Sequence, residues 1–349
     1  MNDRITSSRK KEHLMICANE AVEAGSTGFE DVRLVHTALP ECSMDAVDLS
    51  QRFLGHHLQS PLFIAAMTGG HPDTTAVNAT LARAAEEFGI GMGVGSQRAA
   101  LENPAMEESF SIVREEAPTA FLCANLGIIQ LRDHGAEWAD RAVEMIDAQA
   151  LCIHLNPLQE AIQPEGDHDT SGCLESLCSL CSSVRYPVIV KETGSGISCE
   201  VARMLFAAGA SAIDVGGIGG TSWAAVERVR ADTPELASLG GHFADWGIPT
   251  AVSVVETRRA GGPVIATGGL RSGTDIAKAI ALGADLGGMA LTLLKPALAG
   301  DEPLKSEIER IHRELSVAMY LTGSATVNQL KTIRTYITGT TAEMLRNEE

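Results

Sequence analysis

Residues 187–215, PVIVKETGSGISCEVARMLFAAGASAIDV, contain the unit that decides the fold. An apolar run, Pro187–Lys191, is followed by an amphipathic stretch over Cys199–Ala208 and then, after a Gly-Ala step, by the apolar run Ala212–Val215. Continuous apolar runs are typical of strands buried on both faces of a parallel sheet, and a glycine commonly ends the helix between them. The segment therefore predicts a strand–helix–strand unit.

The same unit recurs along most of the chain. Further helices are predicted over Thr74–Phe88, Trp138–Asp147 and Thr274–Leu282, the last of which ends in the same Gly-Ala step. The predicted strands are Pro61–Ala66, Ile90–Val94, Ala120–Ala124, Ala150–His154, Pro187–Lys191, Ala212–Val215, Pro263–Thr267 and Asp285–Ala290. Eight strands alternating with helices predict an α/β fold, a single (β/α)8 TIM barrel. A doubly wound open sheet is the competing fold, but no G-x-G-x-x-G motif follows the first strand.

Several segments lie outside this repeat. Residues 1–60 precede the first strand and are predicted to form an N-terminal arm and cap, while residues 61–349 form the barrel within one domain overall. Residues 230–247 are rich in Gly, Pro and polar residues and are too long for an ordinary connection, so we predict a lid or mobile loop there. The stretch after Leu304 is predicted to be helical and to close the barrel.

The charge balance limits the possible partners. The chain has 349 residues, with Lys+Arg 27 and Asp+Glu 45, a net charge of −18. Such an acidic surface argues against binding to nucleic acid or to an anionic membrane, although a local basic cluster can still hold a small anion. The polar N-terminus has no apolar signal region, so the eight cysteines predict reduced thiols and a cytoplasmic protein.

Glycines at three successive strand ends predict a phosphate site. Gly219-Gly220-Thr221 follows the sixth strand, Gly268-Gly269 the seventh, and Ala290-Leu291 leads from the eighth into a helix. Glycine turns let backbone N–H groups approach an anion, and a helix N-terminus adds further donors. The loops after strands seven and eight are the recurrent phosphate site of TIM barrels.

Lys191 ends an otherwise apolar strand and is predicted to face the barrel mouth. It could form a Schiff base, or it could stabilise negative charge on a ring. The side chains of Thr68, Ser96 and Asn125 at other strand ends could supply donors and acceptors for a flat heterocycle. Together with a phosphate site, this set suggests flavin mononucleotide.

The densest polar group follows the fourth strand. His154, Asn156, Gln159 and Glu160 could together ligate a hard cation and orient a substrate, and a lone carboxylate with substrate phosphate oxygens suits Mg²⁺. The basic run over residues 9–13 is either a solvated tail or an anion clamp that folds over a neighbouring active site, with Arg98 as a further donor.

The motifs that carry these groups resemble those of type 2 isopentenyl diphosphate isomerase. They occur in the family order and cover most of the chain, and the segments HLNPLQE (His154–Glu160) and GSQR (Gly95–Arg98) are the most specific. The resemblance implies a flavoprotein that interconverts isopentenyl and dimethylallyl diphosphate in isoprene biosynthesis. It further implies that reduced FMN acts in acid/base catalysis, that NADPH usually reduces it, and that Mg²⁺ is required. Family members are homo-oligomers, tetramers or octamers.

The resemblance also implies roles for individual residues. The implied catalytic side chains are His154, Gln159 and Lys191, and Glu160 would bind Mg²⁺. The implied FMN contacts are Met67, Thr68, Ser96, Asn125, Lys191, Thr221, Gly269, Leu270, Arg271, Ala290 and Leu291. The implied substrate contacts are Arg9, Lys10, Ser96, Gln97, Arg98, His154, Asn156 and Gln159.

Two other classes of function are open to the same barrel. A flavin oxidoreductase such as a 2-hydroxy acid oxidase needs a histidine near strand seven, and residues 265–269 contain none. The related purine-nucleotide dehydrogenases need a cysteine after strand six, where residues 216–223 contain none. A non-catalytic flavin-binding barrel would not need the cluster His154–Glu160.

Overall fold

The computed structural model describes residues 2–346, with side chains described at residue 10 and from residue 12 onward. The strands are β1 (Val32–Leu34), β2 (Gln51–Phe53), β3 (His56–Leu58), β4 (Leu62–Ile64), β5 (Gly91–Gly93), β6 (Leu122–Gly127), β7 (Ala150–Leu155), β8 (Val188–Glu192), β9 (Ala212–Asp214), β10 (Val264–Ala266), β11 (Leu286–Met289) and β12 (Thr335–Ile337). Strands β4 to β11 form a closed parallel barrel in chain order, and β11 pairs back to β4. The predicted (β/α)8 barrel is confirmed, with each predicted strand overlapping one of these eight.

Helices surround the barrel. They are α1 (Asn2–Asn19), α2 (Thr75–Phe88), α3 (Arg98–Glu102), α4 (Glu108–Glu116), α5 (Ile128–Met145), α6 (Pro157–Ile162), α7 (Cys173–Ser183), α8 (Cys199–Ala207), α9 (Trp223–Arg230), α10 (Pro234–His242), α11 (Thr250–Arg259), α12 (Gly273–Ala281), α13 (Leu291–Ala299), α14 (Asp301–Leu321), α15 (Val327–Leu330) and α16 (Gly339–Arg346). The helix predicted from Trp138 begins ten residues earlier, at Ile128. Its pattern is broken by Gly135, whose φ of 64° kinks the helix.

Local sequence explains where the helices begin and end. The Ser198 hydroxyl accepts a hydrogen bond from the N–H of Val201 and caps α8. The helix is followed by Gly209 at φ 102°, and a Cβ there would lie 2.7 Å from the Cβ of Cys181. Only glycine suits both the backbone conformation and the close packing, so the Gly-Ala step ends α8 as predicted.

The two ends of the barrel are covered by different parts of residues 2–60. Phe53 and Leu58 of the β2–β3 hairpin share one apolar cluster with Phe63 and Phe121, which lie near the starts of barrel strands. Helix α1 contacts α3, α9 and α13, which follow strand ends at the other side. The hairpin therefore covers the N-terminal end of the barrel, and α1 lies over its C-terminal end.

The segment 230–247, predicted as a lid or mobile loop, contains the helix α10. Thr233 caps this helix, and a Cβ at Gly240 would lie 2.7 Å from the carbonyl oxygen of Ala224, so α10 packs tightly on α9. The segment is thus helical over Pro234–His242, and its role as a lid or mobile segment stays a prediction. In the described part of the chain, we find no helix with the length and apolarity needed to cross a membrane.

Candidate active site

A cavity of about 230 Å³ opens at the C-terminal ends of the barrel strands, under α1. The predicted site residues on its wall are Lys10, Met67, Thr68, Ser96, Arg98, Asn125, His154, Asn156, Gln159, Glu160, Lys191, Thr221, Gly269, Leu270, Ala290 and Leu291. Gln97 and Arg271 do not line it, and the side chain of Arg9 lies outside the described residues.

The two glycine turns after β9 and β10 lie in backbone contact. A Cβ at Gly220 would lie 2.4 Å from the nitrogen of Gly269, so no side chain fits between the turns. Among the described residues, the N–H groups of Gly220, Gly269 and Leu270 donate to no protein acceptor. Unpaired backbone donors are costly away from water, so three of them on one cavity wall indicate a place for an anion.

Arg271 explains why these donors face the cavity. Its guanidinium donates to the carbonyl oxygens of Gly219, at 2.8 Å, and Gly269, at 2.7 Å, and pairs with Glu23 at 2.6 Å. Because a trans peptide points its N–H opposite to its carbonyl, the N–H groups of Gly220 and Leu270 point away from Arg271. The Arg271 side chain therefore lies behind the turns and fixes their shape, and its contact with FMN stays a prediction.

A third group of donors lies at the start of α13. Ala290, the residue before the helix, provides no side-chain cap, and Ala290, Leu291 and Thr292 line the cavity. The Thr292 hydroxyl donates to the carbonyl of Leu270 at 2.9 Å, which ties this helix to the turn after β10. The positive end of a nine-residue helix thus completes the cradle formed by the two glycine turns.

Lys191 reaches the cavity from β8 with its ammonium group fully engaged. Nζ lies 3.0 Å from the carbonyl oxygen of Glu192, 3.3 Å from Oγ1 of Thr267 and 3.2 Å from Oδ2 of Asp214. Asp214 was not predicted as a site residue, although a charged residue in the apolar run AIDV is the same kind of signal as the lysine in PVIVK. The pair results from register, since Lys191 and Asp214 are Cα partners across β8 and β9.

Asn125 organises the centre of the site. Its amide nitrogen donates to the carbonyl of Val94 at 2.9 Å, which turns Oδ1 toward Nδ1 of His154 at 2.8 Å. Gln97 lies buried in the barrel wall, and its predicted contact with substrate stays a prediction. Its Oε1 accepts from the N–H of Asn125 at 2.8 Å, and its Nε2 donates to the carbonyl of Ala142 at 2.8 Å. Its role is to hold the strand end that carries Asn125.

The imidazole of His154 is neutral at ordinary pH. Burial, together with the positive charges of Lys10 and Lys191, lowers the pKa of His154 to about 3. The contact with Asn125 requires a proton on Nδ1, which leaves Nε2 as a bare acceptor. His154 therefore donates from Nδ1 to Oδ1 of Asn125 and carries no charge of its own.

This depressed pKa predicts that acid destabilises the ligand-free protein. The unfolded chain binds a proton on this histidine below a pH of about 6.5. The folded chain does so only near the lowered pKa, so the free energy of unfolding should fall as the pH drops from 7 to 5. The free energy of unfolding, measured with denaturant at each pH, should change less steeply with pH for His154→Asn than for the exposed control His57→Asn. Equal pH dependence in the two variants would contradict the prediction. Some pH dependence should persist in His154→Asn, because burial also lowers the pKa of His13 and His312.

Glu160 presents an oriented carboxylate at the start of α6. Oε1 accepts from Nδ2 of Asn156 at 2.8 Å, while Oε2 accepts from Nε2 of Gln163 at 2.7 Å and from the N–H of Asp167 at 2.9 Å. Oε1 of Gln163 is buried, and it has no hydrogen-bond partner in the described part of the chain. The described residues contain no group of three or more His, Cys, Asp or Glu side chains able to hold a metal ion. A cation here would need further oxygen atoms, from amide side chains, water or a bound ligand.

Glu227 of α9 joins α1 to this cluster, and the sequence analysis missed it. Its side chain is only 2% exposed and contacts Nε2 of His13 at 3.2 Å, Nε2 of Gln159 at 3.4 Å and Nη1 of Arg230 at 2.5 Å. Burial opposes its charge, but the hydrogen bond from His13 and the nearby Arg230 outweigh this effect and lower the pKa of Glu227. Arg230 also pairs with Glu12 of α1 at 3.1 Å. Glu12 and His13 thus fix the helix over the cavity of its own chain, and a clamp over a neighbouring active site stays a prediction.

Comparison with known proteins assigns the family. The sequence profile of the FMN-dependent dehydrogenase family matches residues 15–155 and 137–336. An isopentenyl-diphosphate delta-isomerase of Methanoregula boonei is 62% identical over 347 residues, 98% of this chain and 97% of that protein. An isopentenyl-diphosphate delta-isomerase of Archaeoglobus fulgidus is 54% identical over 340 residues, 97% of this chain and 98% of that protein.

Solved structures agree on the fold. A putative lactate oxidase of Pediococcus acidilactici superposes with a TM-score of 0.68 at 17% identity, covering 97% of this chain and 93% of the other. A mandelate oxidase superposes with a TM-score of 0.64 at 20% identity, covering 97% of this chain and 99% of the other. These identities show a shared barrel only, whereas the archaeal relatives match nearly the whole length at more than half identity. The chain belongs to the isopentenyl-diphosphate delta-isomerase family, on the barrel of the FMN-dependent dehydrogenases.

Proposed function

We propose that this protein interconverts isopentenyl diphosphate and dimethylallyl diphosphate, with reduced FMN as the acid/base group, Mg²⁺ as an activating cation and NADPH as the usual reductant. One observation carries the proposal. In addition to the cradle of glycine turns and α13, the cavity holds a second anion-binding group beside the oriented carboxylate of Glu160, and this group comprises Lys10, Arg98 and Asn156. A site with two separate places for phosphate groups suits a phosphorylated cofactor together with a diphosphate substrate.

The residues present fit FMN. Its phosphate would bind the free N–H groups of Gly220, Gly269 and Leu270 and the start of α13, where the positive helix end favours a dianion. Its ring would lie toward Lys191, with Thr68 and Ser96 also on the wall. When bound and reduced, the flavin would supply a proton at N5 and recover one after isomerisation without net loss of electrons.

The residues also fit a diphosphate. Lys10 reaches the cavity from α1, and Arg98 reaches it from the start of α3, where Glu102 holds the guanidinium at 2.7 Å. Two cations and the Asn156 amide in a partly closed cavity offer charge-assisted hydrogen bonds to phosphate oxygens. A bound diphosphate also favours the charged form of His154, which could then donate from Nε2. Arg9 would add a further cation.

The neighbourhood of Glu160 fits Mg²⁺. Magnesium is commonly held by one or two carboxylates together with substrate phosphates and water. Three donors fix the Glu160 carboxylate, and the unpartnered Oε1 of Gln163 provides a second hard oxygen for the ion or for one of its waters. Because the described protein groups alone make no metal cage, we propose that Mg²⁺ binds together with the diphosphate.

Glu160→Gln should therefore weaken Mg²⁺ binding selectively. The amide keeps the size of the side chain but removes the charge that attracts the cation. We expect the Mg²⁺ concentration for half-maximal activity to rise at least tenfold, with FMN still bound. The control is Glu175→Gln, an exposed change on α7 away from the cavity. A Mg²⁺ titration unchanged from wild type would exclude Glu160 as a ligand.

The protein's own groups would position the substrate. Isomerisation adds a proton at one carbon and removes one from another, and an unactivated alkene is a very weak base. Gln159 has no ordinary acid group, and a charged His154 would direct its proton to the diphosphate, so neither would offer a strong acid to the hydrocarbon. We propose that these two side chains fix the diphosphate and the alkene, that α1 excludes water, and that Lys191 stabilises anionic reduced flavin.

An anaerobic assay tests the function. Purified protein with isopentenyl diphosphate and Mg²⁺ should form no dimethylallyl isomer while FMN is oxidised, and dithionite or NADPH should start turnover. NADPH should not be consumed in proportion to product. Full activity with oxidised FMN in air would refute flavin acid/base chemistry, and one NADPH used per product would favour an oxidoreductase.

The alternative of a 2-hydroxy acid oxidase gains no support from the site. The cavity wall after β10 consists of Thr267, Gly268, Gly269 and Leu270, without the histidine base that such an enzyme needs. The tetramer or octamer and the cytoplasmic location remain predictions.

A further inference from the structure

Asp214 is a charged side chain that the proposed chemistry does not use. It lies on β9 inside the barrel and is only 2% exposed. A small cavity of about 10 Å³ beside it is otherwise walled by apolar side chains, two thiols and Lys191. A carboxylate in such surroundings is costly unless it is paired. Its pairing therefore needs a structural or functional reason.

The carboxylate is satisfied by two partners that also serve each other. Oδ2 pairs with Nζ of Lys191 at 3.2 Å, and Oδ1 accepts from the hydroxyl of Thr267. That hydroxyl in turn accepts from the N–H of Gly216 at 3.1 Å and from Nζ of Lys191 at 3.3 Å. The lysine is thus held in one orientation, and the carboxylate of Asp214 compensates much of its positive charge.

Of the other titratable groups around the pair, the two thiols and His154 are neutral, while the carboxylate of Glu192 also interacts with Lys191 through its charge. Burial and then the charge of Asp214 raise the pKa of Cys152 to about 12, and burial raises the pKa of Cys123. His154 is uncharged, as described above. The Glu192 side chain accepts from the N–H groups of the following loop, including Gly194 at 2.5 Å. Lys191 and Asp214 are therefore a directly paired set of opposite charges beneath the place proposed for the ring.

We propose that Asp214 is a positioning residue and counter-charge that sets how strongly this site favours reduced over oxidised FMN. The inference rests on the proposed binding of FMN with its ring toward Lys191. Two-electron reduction with uptake of one proton leaves a negative charge on the flavin ring. Lys191 attracts that negative charge and Asp214 repels it, so the pair limits the preference of the site for reduced FMN. The reduced flavin anion is then not stabilised so strongly that it could no longer act as a base.

The test is the two-electron midpoint potential of bound FMN, measured by reductive titration with a reference dye at fixed pH and saturating FMN. Asp214→Asn keeps the shape and an oxygen acceptor for Lys191 but removes the charge. We expect reduced FMN to be favoured about tenfold more than in wild type, a rise of about 30 mV for a two-electron couple. Lys191→Gln should shift the potential in the opposite direction.

The double variant Lys191→Gln/Asp214→Asn decides the matter even if Asp214→Asn fails to fold, because replacing both members of a buried pair is commonly tolerated. If Asp214 acts as a counter-charge, the midpoint potential of FMN in the double variant should lie close to the wild-type value. A double variant that matches Lys191→Gln alone would overturn the proposal, as would an unchanged potential in Asp214→Asn. Cys152→Ala, a neutral change beside the pair, should leave the potential unchanged. Failure of the wild-type protein to bind FMN would instead refute the proposed function.

Discussion

Gly220→Ala is expected to weaken FMN binding about 100-fold. The backbone at this position does not require glycine, but the new Cβ would lie 2.4 Å from the nitrogen of Gly269 and must push the two turns apart. The N–H groups of Gly220, Gly269 and Leu270 could then no longer converge on one phosphate. Hydrogen bonds to a charged group contribute about 1.5–3 kcal/mol each, so loss of one or two accounts for the expected change.

Fluorescence titration of the flavin-free protein with FMN measures this effect. Gly241→Ala is the matched control, because its Cβ would meet only the end of a flexible Arg228 side chain at 3.5 Å. The control should bind FMN as wild type does. If Gly220→Ala also binds FMN with wild-type affinity, the turns after β9 and β10 do not form the phosphate site.

Glu227→Ala is expected to lower both stability and activity. It removes the buried carboxylate shared by His13, Gln159 and Arg230, and breaking a buried ion pair costs about 3–5 kcal/mol. We expect a loss of about 3 kcal/mol in the free energy of unfolding. Because α1 and Gln159 lose a common anchor, KM for the diphosphate should rise and kcat should fall.

Two further variants separate these effects. Glu12→Gln removes only the half-exposed partner of Arg230 and should cost less than about 1 kcal/mol, because exposed ion pairs contribute little. Glu227→Gln keeps polar contacts and should retain more stability than Glu227→Ala while still weakening the fixation of His13. Wild-type kinetics in a stable Glu227→Ala protein would show that the anchor is structural only.

Much of the fold could be predicted because its signal is repetitive. Each apolar run and each Gly-Ala step points to the same strand–helix unit, and eight copies leave few alternatives. The helix α10 was missed although Thr233-Pro234 is a good helix start, because Gly and polar residues dominate the surrounding segment. Strand β12 was missed because three residues whose partner, β1, lies far away in the sequence carry almost no pattern.

The site was predictable where strand ends decide which residues line the cavity, and less so where side-chain direction decides. Gln97 and Arg271 stand next to cavity residues in sequence, but one enters the barrel wall and the other lies behind the glycine turns. Asp214 and Glu227 are visible as charges in apolar surroundings. Their partners, however, come from strand register and from a helix about 200 residues away.

The cradle also bears on how the barrel holds together. Its three parts follow β9, β10 and β11, and β11 is the strand that closes the ring onto β4. A phosphate bound there would link the last three strand–helix units non-covalently. By linkage, a ligand that binds only the closed ring stabilises it by about 2.7 kcal/mol at one hundred times its dissociation constant. Amide hydrogens from β9 to α13 should therefore exchange faster in the flavin-free protein than in the FMN-bound protein, and the cofactor would stabilise the closed barrel in addition to its chemical role.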